Sequence, residues 1–526
     1  MQTNNPRSDR RPRVLVVNAY FDPWLSGTPT KLFVPRATAP FHLAGFFDPR
    51  RVDVRIHDEV YHGALMAKRT FAWPDLVIVS GLTAMFDRAR QLAAYFRHCQ
   101  PNATLLIGGP MARCFPGLSV RYFDVVCQGD VGDIGEVIDD VLGRGYRADT
   151  PSPRFDLAGH SFGLGFVETT EYCNFSCSFC SLTGEGRAYR RHANEWVEQQ
   201  ILAMGRVQAV MVLDNNFYGN NRSQFKERAA ILGEHWRRGA YRGWGALVTG
   251  DFFKHEENLE IVAQNGCISL FSGVESVDPA VLRRFNKRQS LSSDPRTLAM
   301  LCAQHGIAFE YGMIMDFTRQ RMSDVDAQIE QLLADPETPL PALMSLTIPI
   351  VGTPYFDQAA AERRLMPDLR LSDMDGQKLV EWPLEPVAEV AEFVARMLRM
   401  KGRKWALIRH SVQHALRRRH CYRPEHVLVT LLRPMHQYGA RLRIGTPRQM
   451  LQDWREPRLY YCALNSPARR AYRPMWPMPG RFLNHFEPLM VTDAAGELTE
   501  TMLKERELRK PNAVRQVALA AGDNAA

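Results

Sequence analysis

Short apolar blocks alternate with amphipathic stretches along the chain up to about residue 350. Blocks of this length, bounded by Gly, Pro, Asn or Asp, read as buried strands. The 3.6-residue periodicity between them reads as helix. The first region holds RVLVVNAY from Arg13, VDVRIHD at 52–58, DLVIVSGL at 75–82, ATLLIGG at 103–109 and YFDVVCQGD at 122–130. Helical stretches follow the third and fifth of these. The alternation predicts a parallel sheet with right-handed crossovers. The expectation is an α/β chain that begins with a doubly wound, Rossmann-like domain at 13–145. Ligands of such domains lie at the carboxyl ends of the strands. That singles out Ser80, Gly81, Leu82, Thr83, Gly108, Gly109, Pro110 and Gly129.

Residues 146–163 are polar and carry two prolines, and they read as a linker. A second alternation follows, with strands expected at GFVETT (165–170), AVMVLDN (209–215), WGALVTG (244–250), ISLFSGVES (268–276), FEYGMIMDF (309–317) and SLTIPI (345–350). Six such units predict a partial (β/α)6 barrel of TIM type over 164–360, with its chemistry at the strand carboxyl ends. Beyond 360 the strand rhythm fades. Residues 361–526 are expected to be mainly helical, with a loosely held tail from Thr492. The polar segment 1–12 is expected to be disordered.

Composition narrows the class. The chain has 526 residues, 45% hydrophobic and 23% charged, with a net charge of +9. That length exceeds one ordinary core, and the balance is that of a folded soluble protein. No apolar run approaches the roughly 18 residues of a membrane span, and no secretory leader is visible, so a cytoplasmic location is expected. Of ten cysteines, seven are scattered singly and read as small buried hydrophobes rather than a disulfide framework.

The other three stand together in Glu171-Tyr172-Cys173-Asn174-Phe175-Ser176-Cys177-Ser178-Phe179-Cys180, directly after the first expected barrel strand. Thiolates are the usual ligands of iron–sulfur clusters. Three from one loop hold a cluster and leave one iron open. Two other readings stand beside this one. A core helix with cysteines at i, i+4 and i+7 would have to tolerate Asn174, Ser176 and Ser178 in its interior. A zinc site would need a fourth ligand, with His192 the nearest downstream histidine.

With Phe179 before the last cysteine, this motif resembles that of the radical S-adenosylmethionine (SAM) superfamily. The resemblance covers about residues 165–355. It implies a [4Fe–4S] cluster on Cys173, Cys177 and Cys180, and SAM on the open iron. It also implies an electron donor such as flavodoxin or ferredoxin, and a 5′-deoxyadenosyl radical as the product of SAM cleavage. Leu213-Asp214-Asn215-Asn216-Phe217 is similar to the "DDNF" of the cobalamin-associated branch. Gly273-Val274-Glu275-Ser276, with Leu282, Asn286 and Lys287, is similar to its "GxES…L…xNK". The implied SAM-facing residues are Phe179, Asp214, Asn215, Glu275 and Ser276. Ile350-Val351-Gly352-Thr353-Pro354 resembles the branch's "PGTP" turn, with Val351 where proline is usual. The family's "GGE" motif is absent, and Asn215-Asn216 stands in its place.

The N-terminal domain resembles the cobalamin (B12)-binding module of the same branch. The matching residues are Ser80, Leu82, Thr83, Gly108, Gly109, Pro110 and Gly129, the last followed by Asp130. The Asp-x-His-x-x-Gly signature is absent, and the loop AYFDPWLSGTP after the first strand has no histidine to ligate cobalt. The resemblance implies a radical SAM enzyme that transfers a methyl group, with cobalamin, to an unactivated carbon of a small-molecule substrate. One alternative is a cyclase, rearrangement or oxidation enzyme of the same architecture. The other is a non-catalytic iron–sulfur or corrin sensor.

Three further stretches carry weaker signals. The basic run with Arg403, Lys404, Arg409, Arg417, Arg418, Arg419 and Arg423 reads as a solvated helix face or a clamp for an anionic substrate. Nucleic acid would want a continuous basic face with stacking aromatics, and only Trp405 and Tyr422 are present. His410, His414, His420, Cys421 and His426 fit no standard zinc spacing. The aromatic, proline-rich stretch 471–486 reads as a pocket lining or a cover for the barrel mouth.

Overall fold

Among the described residues, eleven short parallel strands form two sheets, five in the first and six in the second. The computed structural model describes residues 10–20, 37–158, 163–376, 378–397, 402–424, 426–427, 431, 462–465, 472–509 and 518–519. The segment 1–9 and most of the loop after the first strand, 21–36, lie outside the described residues. Arg10, within the stretch expected to be disordered, donates twice to the Asp75 carboxylate at 2.7 and 2.8 Å.

The first sheet contains β1 (Arg13–Asn18), β2 (Asp53–Asp58), β3 (Leu76–Ser80), β4 (Thr104–Gly108) and β5 (Val125–Cys127). Its order is β2-β1-β3-β4-β5, all parallel. Val14 to Val17 of β1 are all buried, because helices cover both faces of the sheet. Full burial of such a side chain contributes about 1.5–3 kcal/mol. The strand order reverses between β1 and β3. The crevice at that switch point opens beside Ser80 and Gly81, at the carboxyl ends.

The second sheet contains β6 (Leu164–Val167), β9 (Ala209–Val212), β10 (Trp244–Val248), β11 (Cys267–Glu275), β12 (Ala308–Met315) and β13 (Leu343–Leu346). They follow one another in sequence order, all parallel, as a half-barrel. A small antiparallel ladder of β7 (Thr170–Glu171) and β8 (Arg190–Arg191) stands at its mouth. Among the described residues no helix is long and apolar enough to cross a membrane.

The C-terminal region is largely helical and braces both sheets. Helix Lys404–Arg418 lies on the half-barrel. His410 Nε2 is 3.0 Å from the Thr338 carbonyl, and His414 Nδ1 is 2.9 Å from that of Pro336. Arg403 pairs with Asp326 and Glu330, and Arg417 and Arg418 pair with Glu337. Arg403, Arg417 and Arg418 thus fasten the helix, while Arg409, Arg419 and Arg423 stand exposed. The described stretch 472–486 packs on the first domain. Trp476 packs on Tyr95 at 4.7 Å and on Phe71, against helix Phe86–Cys99 of the first domain. Met475 N–H donates to the Tyr95 hydroxyl at 2.8 Å. These rings had apolar area to bury, and that helix offered an aromatic face.

Residues 492–509 are also held, while 510–517 and 520–526 lie outside the described residues. Thr492 is fully buried and bonds Met366 and Leu369. Helix Glu500–Leu508 puts the Glu505 carboxylate 3.0 Å from the Gly117 N–H. Finally β14 (Ala518–Leu519) adds antiparallel to β5 and covers that sheet edge.

Candidate active site

The cysteine loop leaves the half-barrel because Asp214 draws the backbone aside. β6 ends at Val167. The N–H groups of Thr169 and Thr170 then donate to Asp214 Oδ1 at 2.6 and 3.0 Å, and the Thr169 hydroxyl donates to Oδ2. Asp214 is fully buried. Both of its oxygens hold the turn that launches the loop. Burial pushes its carboxyl up, against the pull of these donors.

Tyr172 follows with φ of 62°, a left-handed conformation that costs a non-glycine residue about 1–2 kcal/mol. Cys173, Cys177 and Cys180 come next, with Cys177 buried. Burial pushes the Cys173 thiol up to about 11 and raises that of Cys180. Such thiols hold their protons until a metal displaces them. Among the described residues no three Cys, His, Asp or Glu side chains converge where one ion could bind. The three thiols share one loop, where the charges of Cys180 and Cys177 add to burial in raising the Cys173 thiol.

The far side of the loop is pinned by the segments the sequence marked. Ser178 N–H donates to the Phe285 carbonyl at 2.9 Å, and Tyr355 N–H donates to the Ser178 carbonyl at 3.0 Å. Asn286 Nδ2 donates to the Ser176 carbonyl at 2.8 Å, and Asn216 Nδ2 to Asn174 Oδ1 at 2.8 Å. Phe179 packs edge-on against Phe285 at 5.1 Å, so it wedges the loop against the barrel wall.

Glu275 also has φ in the left-handed region, at 65°, beside a register shift in β11. Its carboxylate accepts from Lys287 Nζ at 2.5 Å. Gly273 has to lack a side chain here, since a Cβ would lie 2.6 Å from that ammonium. Burial works against the Lys287 charge, but Glu275 and the thiols of Cys177 and Cys180 outweigh it and raise its pKa. Ser276 Oγ accepts from the Asp278 N–H at 3.1 Å. Sequence reasoning named Lys287 without a role and missed Gln289, whose amide is 3.3 Å from Cys177 Sγ. A turn just past a strand end carries no periodic signal.

The strand ends of the first sheet face this loop directly. A cavity of about 260 Å³ is lined by Ser80, Gly108, Gly109, Pro110 and Gly129 on one side. Glu168, Thr170, Glu171, Tyr172, Leu213 and Asn215 line the other. A larger space of about 860 Å³ adjoins it, with Thr83, Pro110, Gly129, Gly184, Val351 and Arg509 in its walls. Leu82 lines neither; it stands 65% exposed at the end of β3. Gly109 has φ of 77°, and a Cβ there would be 2.8 Å from Ser80 Oγ. At Gly129 a Cβ would strike the Asp133 carboxylate. The glycines therefore keep the floor of the cavity low. Polar bonds close the interface around it. The Tyr172 hydroxyl donates to Asp130, Arg113 pairs with Glu185 and donates to the Gly129 carbonyl at 2.9 Å, and Arg190 lies 3.3 Å from Asp130.

Residues 167–318 match the model of the radical SAM superfamily. The hopanoid C-2 methylase of Rhodopseudomonas palustris (strain TIE-1) is 25% identical over 342 residues, 61% of this chain and 63% of that one. The chain thus spans somewhat less than two thirds of that relative's length. The radical SAM methyltransferase TsrM from Kitasatospora setae, with tryptophan substrate and a SAM analog bound, aligns at a TM-score of 0.52 and 16% identity. The alignment covers 84% of this chain and 100% of that one. OxsB, a cobalamin-dependent SAM radical enzyme with aqua-cobalamin and SAM bound, aligns at 0.56 and 13% identity, covering 82% and 77%. At these identities the two structures establish a shared fold.

Proposed function

We propose that the chain, whose residues 167–318 match the radical SAM superfamily model, is an enzyme that reductively cleaves SAM at a [4Fe–4S] cluster on Cys173, Cys177 and Cys180. We propose further that it transfers a methyl group, with cobalamin, to an unactivated carbon of a small-molecule substrate. One observation carries this reading: the cysteine loop and the glycine-lined ends of a doubly wound sheet face each other across one cavity. Relatives named as methylases favour methyl transfer over cyclisation or rearrangement.

When bound, the cluster supplies one electron to the SAM sulfonium, releasing methionine and a 5′-deoxyadenosyl radical, and cobalamin supplies the methyl group. The chain's own residues bind and orient. Asn215, Glu275 and Ser276 are the strand-end polar groups assigned to SAM, with Glu275 acting as the carboxylate paired to Lys287. Asp214 and Phe179 shape the loop that presents the thiols. Ser80, Thr83, Gly108, Gly109, Pro110 and Gly129 are assigned to cobalamin, and exposed Leu82 offers it apolar cover. The interface bonds of Tyr172, Arg113 and Arg190 hold the two sheets against each other. The electron comes from a low-potential donor of the flavodoxin or ferredoxin class.

The test is anaerobic reconstitution with iron and sulfide, then incubation with SAM and dithionite, with and without cobalamin. 5′-Deoxyadenosine is expected, and its absence from the iron-loaded chain would leave the sensor reading. S-adenosylhomocysteine that appears only with cobalamin supports methyl transfer. Deoxyadenosine without it supports a non-methylating radical enzyme. Cys177→Ala should abolish both products, and persistence of either in that variant refutes the cluster assignment.

A further inference from the structure

One polar side chain touches the cysteine loop from a direction the chemistry above does not use. Gln289 is buried on the short turn Arg288–Ser290, and its Nε2 donates to Cys177 Sγ at 3.3 Å. The turn has little freedom. Ser290 Oγ donates to the Gly273 carbonyl at 3.1 Å. On its other side the Gln289 carbonyl lies so close to Gly250 that a Cβ there would collide with it. The amide is therefore aimed by backbone packing on two strands. Lys287, two residues earlier, brings a buried ammonium to the same side, 5.7 Å from the Phe179 ring.

We propose that Gln289 sets the reduction potential of the cluster, as a positioning residue whose N–H donates to the Cys177 sulfur beside the Lys287 charge. The inference rests on the cluster assignment above. The step concerned is the uptake of one electron by the oxidised cluster from a low-potential one-electron donor, and no bond forms or breaks. Reduction adds negative charge to the thiolate sulfurs. A donor to such a sulfur bonds the reduced form more strongly than the oxidised one, and a fixed cation acts in the same direction. The pair therefore makes the cluster easier to reduce.

Gln289→Met keeps the approximate volume and removes the donor. The measurement is an EPR-monitored redox titration of the iron-loaded chain with dithionite, alongside iron and sulfide content. Reduction is expected to become about tenfold less favourable, which is about 59 mV more negative for one electron. Gln289→His keeps an N–H and should recover part of the shift. A merely structural Gln289 would change iron content and leave the potential of the loaded fraction where it was; that result overturns the proposal. Should Gln289→Met load no iron, pulsed EPR of the wild-type reduced cluster decides. A side-chain-labelled ¹⁵N-glutamine coupling supports the proposal, and its absence refutes it. A wild-type chain that binds no [4Fe–4S] cluster would instead defeat the cluster assignment itself.

Discussion

Removing the Asp214 carboxylate tests what shapes the cysteine loop. In Asp214→Ala the N–H groups of Thr169 and Thr170 and the Thr169 hydroxyl lose their acceptor, and both residues are buried away from water. A hydrogen bond to a charged acceptor contributes about 1.5–3 kcal/mol. The cost of holding that carboxylate out of water offsets part of the sum. The net loss comes to about 3 kcal/mol, since buried donors left unpaired cost about 1–3 kcal/mol each before that offset. Asp214→Asn keeps an acceptor oxygen and should lose roughly half of that. The assay is urea unfolding of the iron-free chain together with iron content after reconstitution. A lowered midpoint at unchanged slope, with poor iron loading, is expected. A loss below about 1 kcal/mol, the size of an ordinary substitution, with full iron loading would refute the argument.

Two more outcomes follow from the geometry. Gly109→Ala adds about 1–2 kcal/mol of left-handed strain and displaces Ser80, so cobalamin should bind more weakly in an absorbance titration; an unchanged Kd would remove the glycine floor from the site. His42 and His414 are each pushed down to about 4 by burial, with Glu171 opposing this for His42 and the Pro336 carbonyl for His414. The unfolded chain takes up these protons near pH 6.5, before the folded one does. Stability is therefore full above pH 6.5 and falls as pH drops toward 4, by up to about 1.4 kcal/mol per pH unit for each histidine. His414→Gln should flatten that slope in unfolding measured across the window.

Much of this architecture is legible in the residues. The apolar runs of β1, β3 and β4 mark their own positions, because parallel strands buried on both faces need near-continuous Val, Ile and Leu. The exceptions have local causes. GFVETT reads as one strand, yet Asp214 takes the N–H groups of Thr169 and Thr170 and splits it into β6 and β7. Asp214 itself reads as a ligand contact, because a carboxylate at a strand end looks the same in sequence whether it faces a ligand or a backbone. The stretches 472–486 and 492–509 lack periodicity. Their order comes from partners nearly four hundred residues away, such as Tyr95 and Gly117. Glu275 is visible as a candidate, but its pairing with Lys287 needs the register shift in β11.

The bond between Tyr172 and Asp130 ties metal loading to domain docking. Tyr172 stands one residue before Cys173 in a strained backbone conformation, and its hydroxyl is held by the turn that ends the first sheet. The sheet thus helps to hold the shape of a loop it does not belong to. On the cluster assignment proposed above, whatever strengthens the docking of that sheet raises the affinity of the loop for iron, and iron in the loop strengthens the docking by the same factor. Loading of the loop and docking of the two halves are then coupled equilibria rather than independent ones.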